Sequence, residues 1–261
     1  MSLSADAVLA ASNAWVWIPD FATRTETDEY LLVRFPDYFD HPLEVMRFTP
    51  RRPVETAVAD VLNRAREFGL PEVYWWVRLD SPPGVPEALV GRGGQVAETL
   101  DVLALDLSRG APELPAPARA VELRWVTDIA TARDGARIDV AVFGGSMPPD
   151  DRLAASADQD GTSIPGGDGR TVVAYSGGAP VGSGGVTLAE GVARLWGGGV
   201  LEQARGQGVY RAVLGARLDY AVARGAKMAL VKGRVETSGP ILRRAGFEGY
   251  GQELIYKVPL A

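Results

Sequence analysis

The stretch Val200-Leu-Glu-Gln203-Ala-Arg205-Gly206-Gln207-Gly208-Val-Tyr210 follows a predicted strand, Val192–Val200, and opens a long predicted helix. Gly206 and Gly208 place no side chain where an anion would approach the backbone. The first turn of a helix offers unpaired N–H groups and roughly half a positive charge, and Arg205 can add charge-assisted hydrogen bonds. The stretch therefore predicts a phosphate or diphosphate site. The local sequence leaves one alternative open, a tight glycine turn without a ligand.

The composition excludes several other kinds of site. The chain has 261 residues, 46% of them hydrophobic and 23% charged, which is typical of one or two soluble globular domains. It has no Cys and one His, His41, which excludes disulfides, Cys nucleophiles and His-rich or thiolate metal sites. Because Pro42 follows it, His41 is interpreted as a surface or turn residue. The net charge of −6 argues against general nucleic-acid binding.

The location is inferred from hydropathy. The uncharged stretch 171–189 is interrupted throughout by Gly, Ser and Pro, so it does not indicate a membrane span. The first residues carry Asp6 and no early Lys or Arg, which argues against a secretory signal. We expect a cytoplasmic protein without membrane contact.

Residues 111–118 contain three Pro and predict a stiff, extended linker between an N-terminal domain, 1–110, and a C-terminal domain, 119–261. The two parts end alike: a helix end, Gly, a strand, a short helix with Pro near its start, a Gly turn and a strand. This shared order predicts a duplicated unit. The alternative is that any two α/β halves show a similar order.

The C-terminal part has a distinctive predicted order. One strand, two helices and three strands precede the glycine loop, and a long helix, a strand, a short helix, a Gly-Phe turn and a strand follow it. This order, the pattern Gln203-x-x-Gly206-x-Gly208 and the segment from Pro240 to Gly246-Phe247 resemble the GNAT superfamily of acyl-CoA N-acyltransferases. The resemblance covers residues 119–261. It implies a mixed α/β (α+β) sheet and, for the whole chain, a tandem GNAT protein with a degenerate first domain.

The resemblance also implies roles for named residues. The N–H groups from Arg205 to Tyr210 would hold the CoA pyrophosphate, and the end of the strand would pair with the pantetheine arm. The N–H of Val200, the one catalytic group assigned, would polarise the thioester carbonyl. Ser238 would lie near the cofactor arm, or it is simply the N-cap of the last helix. The cofactor-binding residues implied are Gly199, Val200, Gln203, Arg205, Gly206, Gln207, Gly208, Val209, Tyr210 and Ser238.

Three glycines, 197–199, precede the loop. They predict a β-bulge that opens the acyl slot, with a close approach to a neighbouring helix as the alternative. The aromatic run Tyr74-Trp75-Trp76 alternates across a strand and predicts core packing, although one Trp, or Trp196, could line an acceptor pocket.

The catalytic acid and base depart from the family pattern. Leu242 occupies the place where many members carry a proton-donating Tyr, so the thiolate would use water or another group such as Tyr210. No carboxylate lies on Val192–Val200. Water-mediated bases remain open among Glu202, Glu236, Glu122 and Asp160. In the first half, Pro53 lacks an N–H and no glycine precedes the helix, so we expect no CoA there.

The implied function is transfer of an acetyl group from acetyl-CoA to a small amine by direct attack in a ternary complex, without a metal. The expected partners are acetyl-CoA and the amine, with no nucleic acid or membrane, and the protein would be a monomer or a homodimer. The alternative is a non-catalytic CoA-binding or scaffold protein on a degenerate GNAT fold.

Overall fold

A computed structural model of the chain describes residues 3–157 and 168–260. The helices are α1 (Ala5–Asn13), α2 (Val54–Arg66), α3 (Val85–Val90), α4 (Ile129–Phe143), α5 (Asp150–Ala157), α6 (Val209–Ala223) and α7 (Ser238–Arg244). The strands are β1 (Thr23–Glu26), β2 (Tyr30–Arg34), β3 (Leu43–Phe48), β4 (Glu72–Val77), β5 (Gln95–Asp106), β6 (Glu122–Trp125), β7 (Asp168–Ser176), β8 (Ala179–Ala189), β9 (Val192–Val200), β10 (Met228–Arg234) and β11 (Glu248–Pro259).

The strands of the described residues form one mixed sheet in the order β1-β2-β3-β4-β11-β5-β10-β9-β8-β7-β6. Neighbouring strands are antiparallel except β3 with β4 and β9 with β10, which are parallel. The parallel pairs occupy equivalent places on the two sides of the central strands. This arrangement confirms a mixed α/β fold built from a duplicated unit.

The two halves exchange their last strands. β11, the end of the chain, pairs with β4 and β5, whereas β5, the last strand of the first half, pairs with β10 and β11. Each half therefore completes the sheet of the other. The segment 111–118 forms no helix or strand, and the division into two domains at this segment stays a prediction.

Helices cover both faces of the sheet. On one face, α2 and α3 pack on the first half through a core that includes Val61 and Trp75, and α6 and α7 pack on the second half around Leu214 and Leu242. On the other face lie α1 and the pair α4 and α5. The residues between these latter helices and the sheet surround the candidate site.

Local signals determine several boundaries. Asp128 caps α4 by accepting the N–H of Thr131 at 2.8 Å. Glu190 and Gly191 take positive φ values of 52° and 78° in the predicted hairpin turn between β8 and β9. Helix α1 and strand β1 have no counterpart in the sequence predictions. Helix α1 is capped by Ser4 and buries Val8 against β10 and β5.

Candidate active site

The glycine loop takes the backbone conformation that glycine favours. Gly206 and Gly208 have φ values of +74° and +87°. The N–H groups of residues 206–210 donate to no acceptor within the described residues, whereas the N–H of Arg205 donates to Glu202 O at 3.1 Å. The row of free amides is therefore shorter than expected. It begins at Gly206, because the turn Glu202–Ala204 already uses the amide of Arg205.

Two side chains of this segment, Arg205 and Gln207, donate hydrogen bonds to backbone carbonyl oxygens of the same segment. Arg205 is exposed, and its Nε donates to the carbonyl oxygen of Val200 at 3.3 Å. Gln203 is exposed, and its carbonyl oxygen accepts the side-chain amide of Gln207 at 3.0 Å. Val209 is buried in the core under the helix. Arg205 lines the cavity together with Gly206 and Gly208, whereas Gln203 and Gln207 do not.

Strand β9 separates from β10 beside the loop. Their backbone pairing ends at Leu195 and Val231, so residues 196–200 have no strand on that side. The pairing of β9 with β8 shifts register across 197–198, where Gly197 has a φ of +58°. The predicted bulge is thus confirmed. The alternative also holds at Gly199, because a Cβ there would lie 3.0 Å from Val142 of α4.

The gap between β9 and β10 beside residues 196–200 is the slot in which the acyl group is expected. The strand register directs the amide of Val200 into this slot. In an antiparallel pair, opposite residues exchange both hydrogen bonds or neither. Leu201 N–H donates to Val181 O at 2.9 Å, so the facing pair Gly182 and Val200 exchanges none. The N–H of Val200 therefore points away from β8, toward the gap between β9 and β10. Its assignment as an oxyanion contact stays a prediction.

Tyr210 and Ser238 lie at the other side of the slot, and both line the cavity. The Tyr210 hydroxyl lies beside Gly198, 3.4 Å from where a Cβ would stand, and the buried Arg217 guanidinium is close to the same place, 3.2 Å from that Cβ. Burial raises the pKa of Tyr210, so it keeps its proton at neutral pH. Ser238 is the first residue of α7 and Thr237 precedes it as the N-cap, so the N-cap interpretation of Ser238 is wrong. Leu242 is fully buried in the core.

A cavity of about 1280 Å³ connects the slot with the first half of the chain. Gly197, Val200 and Tyr210 line one part, and residues of β3, β4, β5 and β10 line another, with α4, α7 and the segments 15–17 and 38–41 around them. Its floor is the sheet face on which α1 and α4 lie. A space of this size exceeds most small-ligand pockets, so it can hold two substrates together.

Sequence reasoning missed a carboxylate beside the slot, Asp139 of α4. Its Oδ1 accepts the hydroxyl of Ser183 at 2.7 Å, and Ser183 faces Gly199 across the sheet. Burial raises the pKa of Asp139 to about 6. Asp139 lies on the helix face that also buries Ala132, Gly135 and Val142, and this charged residue in an apolar stripe was the available signal.

The carboxylates expected from sequence lie elsewhere. Glu202, Glu236 and Glu122 are exposed, and Glu122 pairs with Arg124 on the edge strand β6. None of the three lines the cavity. Asp160 lies outside the described residues.

The equivalent gap in the first half is closed. Strands β3 and β4 pair only at Glu44–Tyr74 and Val45–Trp75. Beyond them the Arg78 guanidinium donates to the carbonyl oxygens of Met46 and Ser12. Pro53 stands at the start of α2 without a side-chain cap. The expectation that this half does not hold CoA stays a prediction, and the closed gap agrees with it.

Aromatic residues of the first half divide between core and cavity. Trp75 is fully buried against Phe48, whereas Trp76 lines the cavity. His41 occupies a turn, as expected, but it is not a surface residue. Its ring stacks on Tyr74 with centroids 3.7 Å apart, and burial lowers its pKa, so it is neutral.

The comparisons with known proteins agree with this geometry. Residues 144–245 match the model of the acetyltransferase (GNAT) family. The second half of the chain carries a GNAT acetyltransferase domain. The GNAT resemblance is therefore confirmed, and acyl transfer from acyl-CoA is the family's chemistry.

Solved structures share the fold along the whole chain. A GCN5-related N-acetyltransferase from Kribbella flavida is 19% identical with a TM-score of 0.68, over 99% of this chain and 96% of that one. Another from Sphaerobacter thermophilus is 19% identical with a TM-score of 0.62, over 98% and 86%. A tandem GNAT protein from the clavulanic acid biosynthesis pathway is 15% identical with a TM-score of 0.61, over 97% and 88%. No curated protein shows significant sequence similarity to the chain.

Two further findings concern residues 3–157 and 168–260 alone. None of their helices has both the length and the hydropathy to cross a membrane. Over the same ranges, no cluster of three or more His, Asp or Glu side chains is arranged to hold a metal ion.

Proposed function

We propose that this GNAT protein transfers an acetyl group from acetyl-CoA to a small amine by direct attack within a ternary complex. One observation carries the proposal. The open edge of β9 at Val200, the free amides of 206–210 and a buried carboxylate, Asp139, all border one cavity. An added extended arm and a diphosphate are the groups that such an edge and such amides fit.

The residues present fit CoA. A Cβ at Gly208 would lie 2.7 Å from Pro117 Cα, so only glycine lets the loop pack against this segment while its free amides stay available to a diphosphate. The amides of Gly206, Gln207, Gly208, Val209 and Tyr210 would hold the diphosphate. The free edge of Gly199 and Val200 would hold the pantetheine arm, with Ser238 opposite. Val142 and Phe143, packed on Gly199, leave little room there and favour a short acyl group.

The chain's own groups then supply proton transfer and charge stabilisation. The amine nitrogen bonds to the thioester carbonyl carbon, the carbon–sulfur bond breaks and its electron pair stays on sulfur. The Val200 N–H donates to the carbonyl oxygen as negative charge develops there. Asp139 accepts the proton that the amine loses, and the Tyr210 hydroxyl gives a proton to the thiolate.

Thiol release from acetyl-CoA over a panel of small amines tests this function, with binding of CoA followed by calorimetry. We expect amine-dependent release of CoA and an acetylated product. Tight CoA binding with no turnover on any amine would instead support the non-catalytic CoA-binding or scaffold protein. The proposed mechanism needs one copy of the chain, so a monomer suffices for activity.

A further inference from the structure

The far end of the cavity contains a carboxylate that lacks a cationic partner, Glu44. Strand β3 directs it onto the cavity floor, where its Oε2 accepts the indole N–H of Trp76 at 2.7 Å. Its Oε1 has no hydrogen-bond partner among the described residues. The charge that acts on it is that of another carboxylate, Glu98, so no cation neutralises it.

Most of the neighbouring charges are paired: Arg34 with Asp37, Glu72 with Lys257, and Glu98 with Arg234. Asp40 is about half exposed and lies 3.4 Å from His41, which is neutral. The Arg78 guanidinium donates to two backbone carbonyl oxygens, those of Met46 and Ser12, and forms no ion pair among the described residues. Glu253, on the same central strands, pairs with Lys232 at 2.6 Å. Glu44 is therefore a buried carboxylate at this end of the floor without an ion-pair partner among the described residues, and a ligand's cation could pair with it.

Aromatic rings surround this end of the cavity. Trp17 and Phe39 line it together with the His41 ring, and so do Trp15 and Trp76, whose ring centroids lie 5.8 and 5.1 Å from the Lys232 ammonium. The rings of Trp17 and Phe39 are therefore the ones open to a ligand's cation. Aromatic faces beside a carboxylate attract organic cations, because the ring quadrupole and the negative charge act in the same direction. Burial raises the pKa of Glu44 to about 7, which is the signature of a buried carboxylate without a counter-ion.

The distance to the acyl slot sets the size of a ligand that reaches both ends. Four strand spacings separate β10 from β3 in the sheet order. At about 4.8 Å per spacing, the strand that carries Glu44 lies about 19 Å from β10 measured across the sheet. A single short amine cannot contact both places.

We propose that Glu44 and the rings around it form a subsite for a second cationic group, so that the acceptor is an elongated amine with an ammonium or guanidinium group at its far end. This inference rests on the proposed acyl transfer. The first half of the chain would thus select the acceptor, while the second half carries the donor.

The test uses oligoethylene-glycol amines of increasing length, each as a diamine and as a methoxy-capped monoamine. We expect diamines with nitrogens about 15–20 Å apart to have KM values at least about 10-fold lower than their monoamines, a difference typical of one desolvated charge pair. An amine ending in a guanidinium distinguishes the two cations. Glu44→Gln should remove the diamine preference with kcat unchanged. Glu87→Gln, an exposed residue on the opposite face of the first half, should keep it.

Calorimetry gives a readout that needs no turnover. A cation beside Glu44 favours its ionised form, so diamine binding at pH 7 should release a proton, and its heat should depend on the buffer. Glu44→Gln should abolish this dependence while melting like the unsubstituted protein. Equal affinity for diamines and monoamines, or an unchanged preference in Glu44→Gln, would overturn the subsite. Absence of turnover on every amine, with buffer-dependent diamine binding intact, would instead overturn the acyl transfer alone.

Discussion

Two alanine substitutions in the glycine loop separate backbone strain from loss of the anion site. Gly206 and Gly208 both have positive φ, so alanine at either position costs about 1–2 kcal/mol of strain. They differ in their surroundings. A Cβ at Gly206 meets nothing within 4 Å, whereas a Cβ at Gly208 lies 2.7 Å from Pro117 Cα and 3.2 Å from the Arg211 guanidinium.

The expected magnitudes follow from this difference. Gly206→Ala should weaken CoA binding by less than about 5-fold, because the loop keeps its path and strain of about 1 kcal/mol falls mainly on folding. In Gly208→Ala the contact is with backbone, which cannot swing aside, so the amides of 208 and 209 must turn. Losing one charge-assisted hydrogen bond costs about 1.5–3 kcal/mol, which weakens CoA binding about 10- to 100-fold.

Titration calorimetry with CoA and with pantetheine measures the effect, and thermal unfolding reports on the fold. Pantetheine lacks the diphosphate, so Gly208→Ala should leave its affinity near that of the unsubstituted protein. The assignment of the amides of 206–210 to the diphosphate would be refuted if Gly208→Ala bound CoA as tightly as Gly206→Ala. It would also be refuted if pantetheine and CoA lost affinity equally.

The remaining predictions concern proton transfer and the exchanged strands. Asp139→Asn should lower kcat about 100- to 1000-fold. Because the base must be ionised, kcat of the unsubstituted protein should fall as the pH drops through about 6. If Asp139→Asn still shows this fall in kcat, Asp139 is excluded as the base. Tyr210→Phe should lower kcat about 10-fold or more while CoA affinity in calorimetry changes little, and full activity would show that water protonates the thiolate. A fragment of residues 1–118 lacks β11 between β4 and β5. Circular dichroism should therefore show this fragment unfolded until the fragment 119–261 is added. Cooperative unfolding of the fragment 1–118 by itself would contradict this prediction.

Signals from neighbouring residues sufficed for much of the loop and its flanking elements. Gly206 and Gly208 indicated a backbone free of side chains before a helix, and both take positive φ. Asp128 has the residue type of a helix cap, and Glu190-Gly191 that of a tight turn. Each depends on backbone sterics or on a hydrogen bond within three residues, which any fold would preserve. Ser238 shows the limit of such signals. Helix α7 begins at Ser238, one residue earlier than its interpretation as the N-cap required, so Thr237 is the N-cap.

The carboxylates proposed as base and as acceptor subsite, Asp139 and Glu44, could not be found from sequence, because their positions depend on contacts between distant parts of the chain. Asp139 gains its raised pKa from burial against β8, and Glu44 gains its place from the packing of β3 beside β4. Their sequence neighbours carry no trace of these partners. Of the candidates chosen from sequence, Glu202, Glu236 and Glu122 are exposed, because the residues next to a carboxylate in sequence do not determine whether its side chain enters the cavity.

The sequence by itself indicated the kind of fold through its resemblance to a known family. It also determined the glycine loop and the absence of Cys chemistry, since these depend on local backbone preferences and on composition. Only the tertiary structure decided that β11 and β5 exchange places and that one cavity joins the two halves. Strand order and burial arise from pairing and packing across more than a hundred residues. The free energy of those contacts belongs to the assembled sheet and not to any one segment.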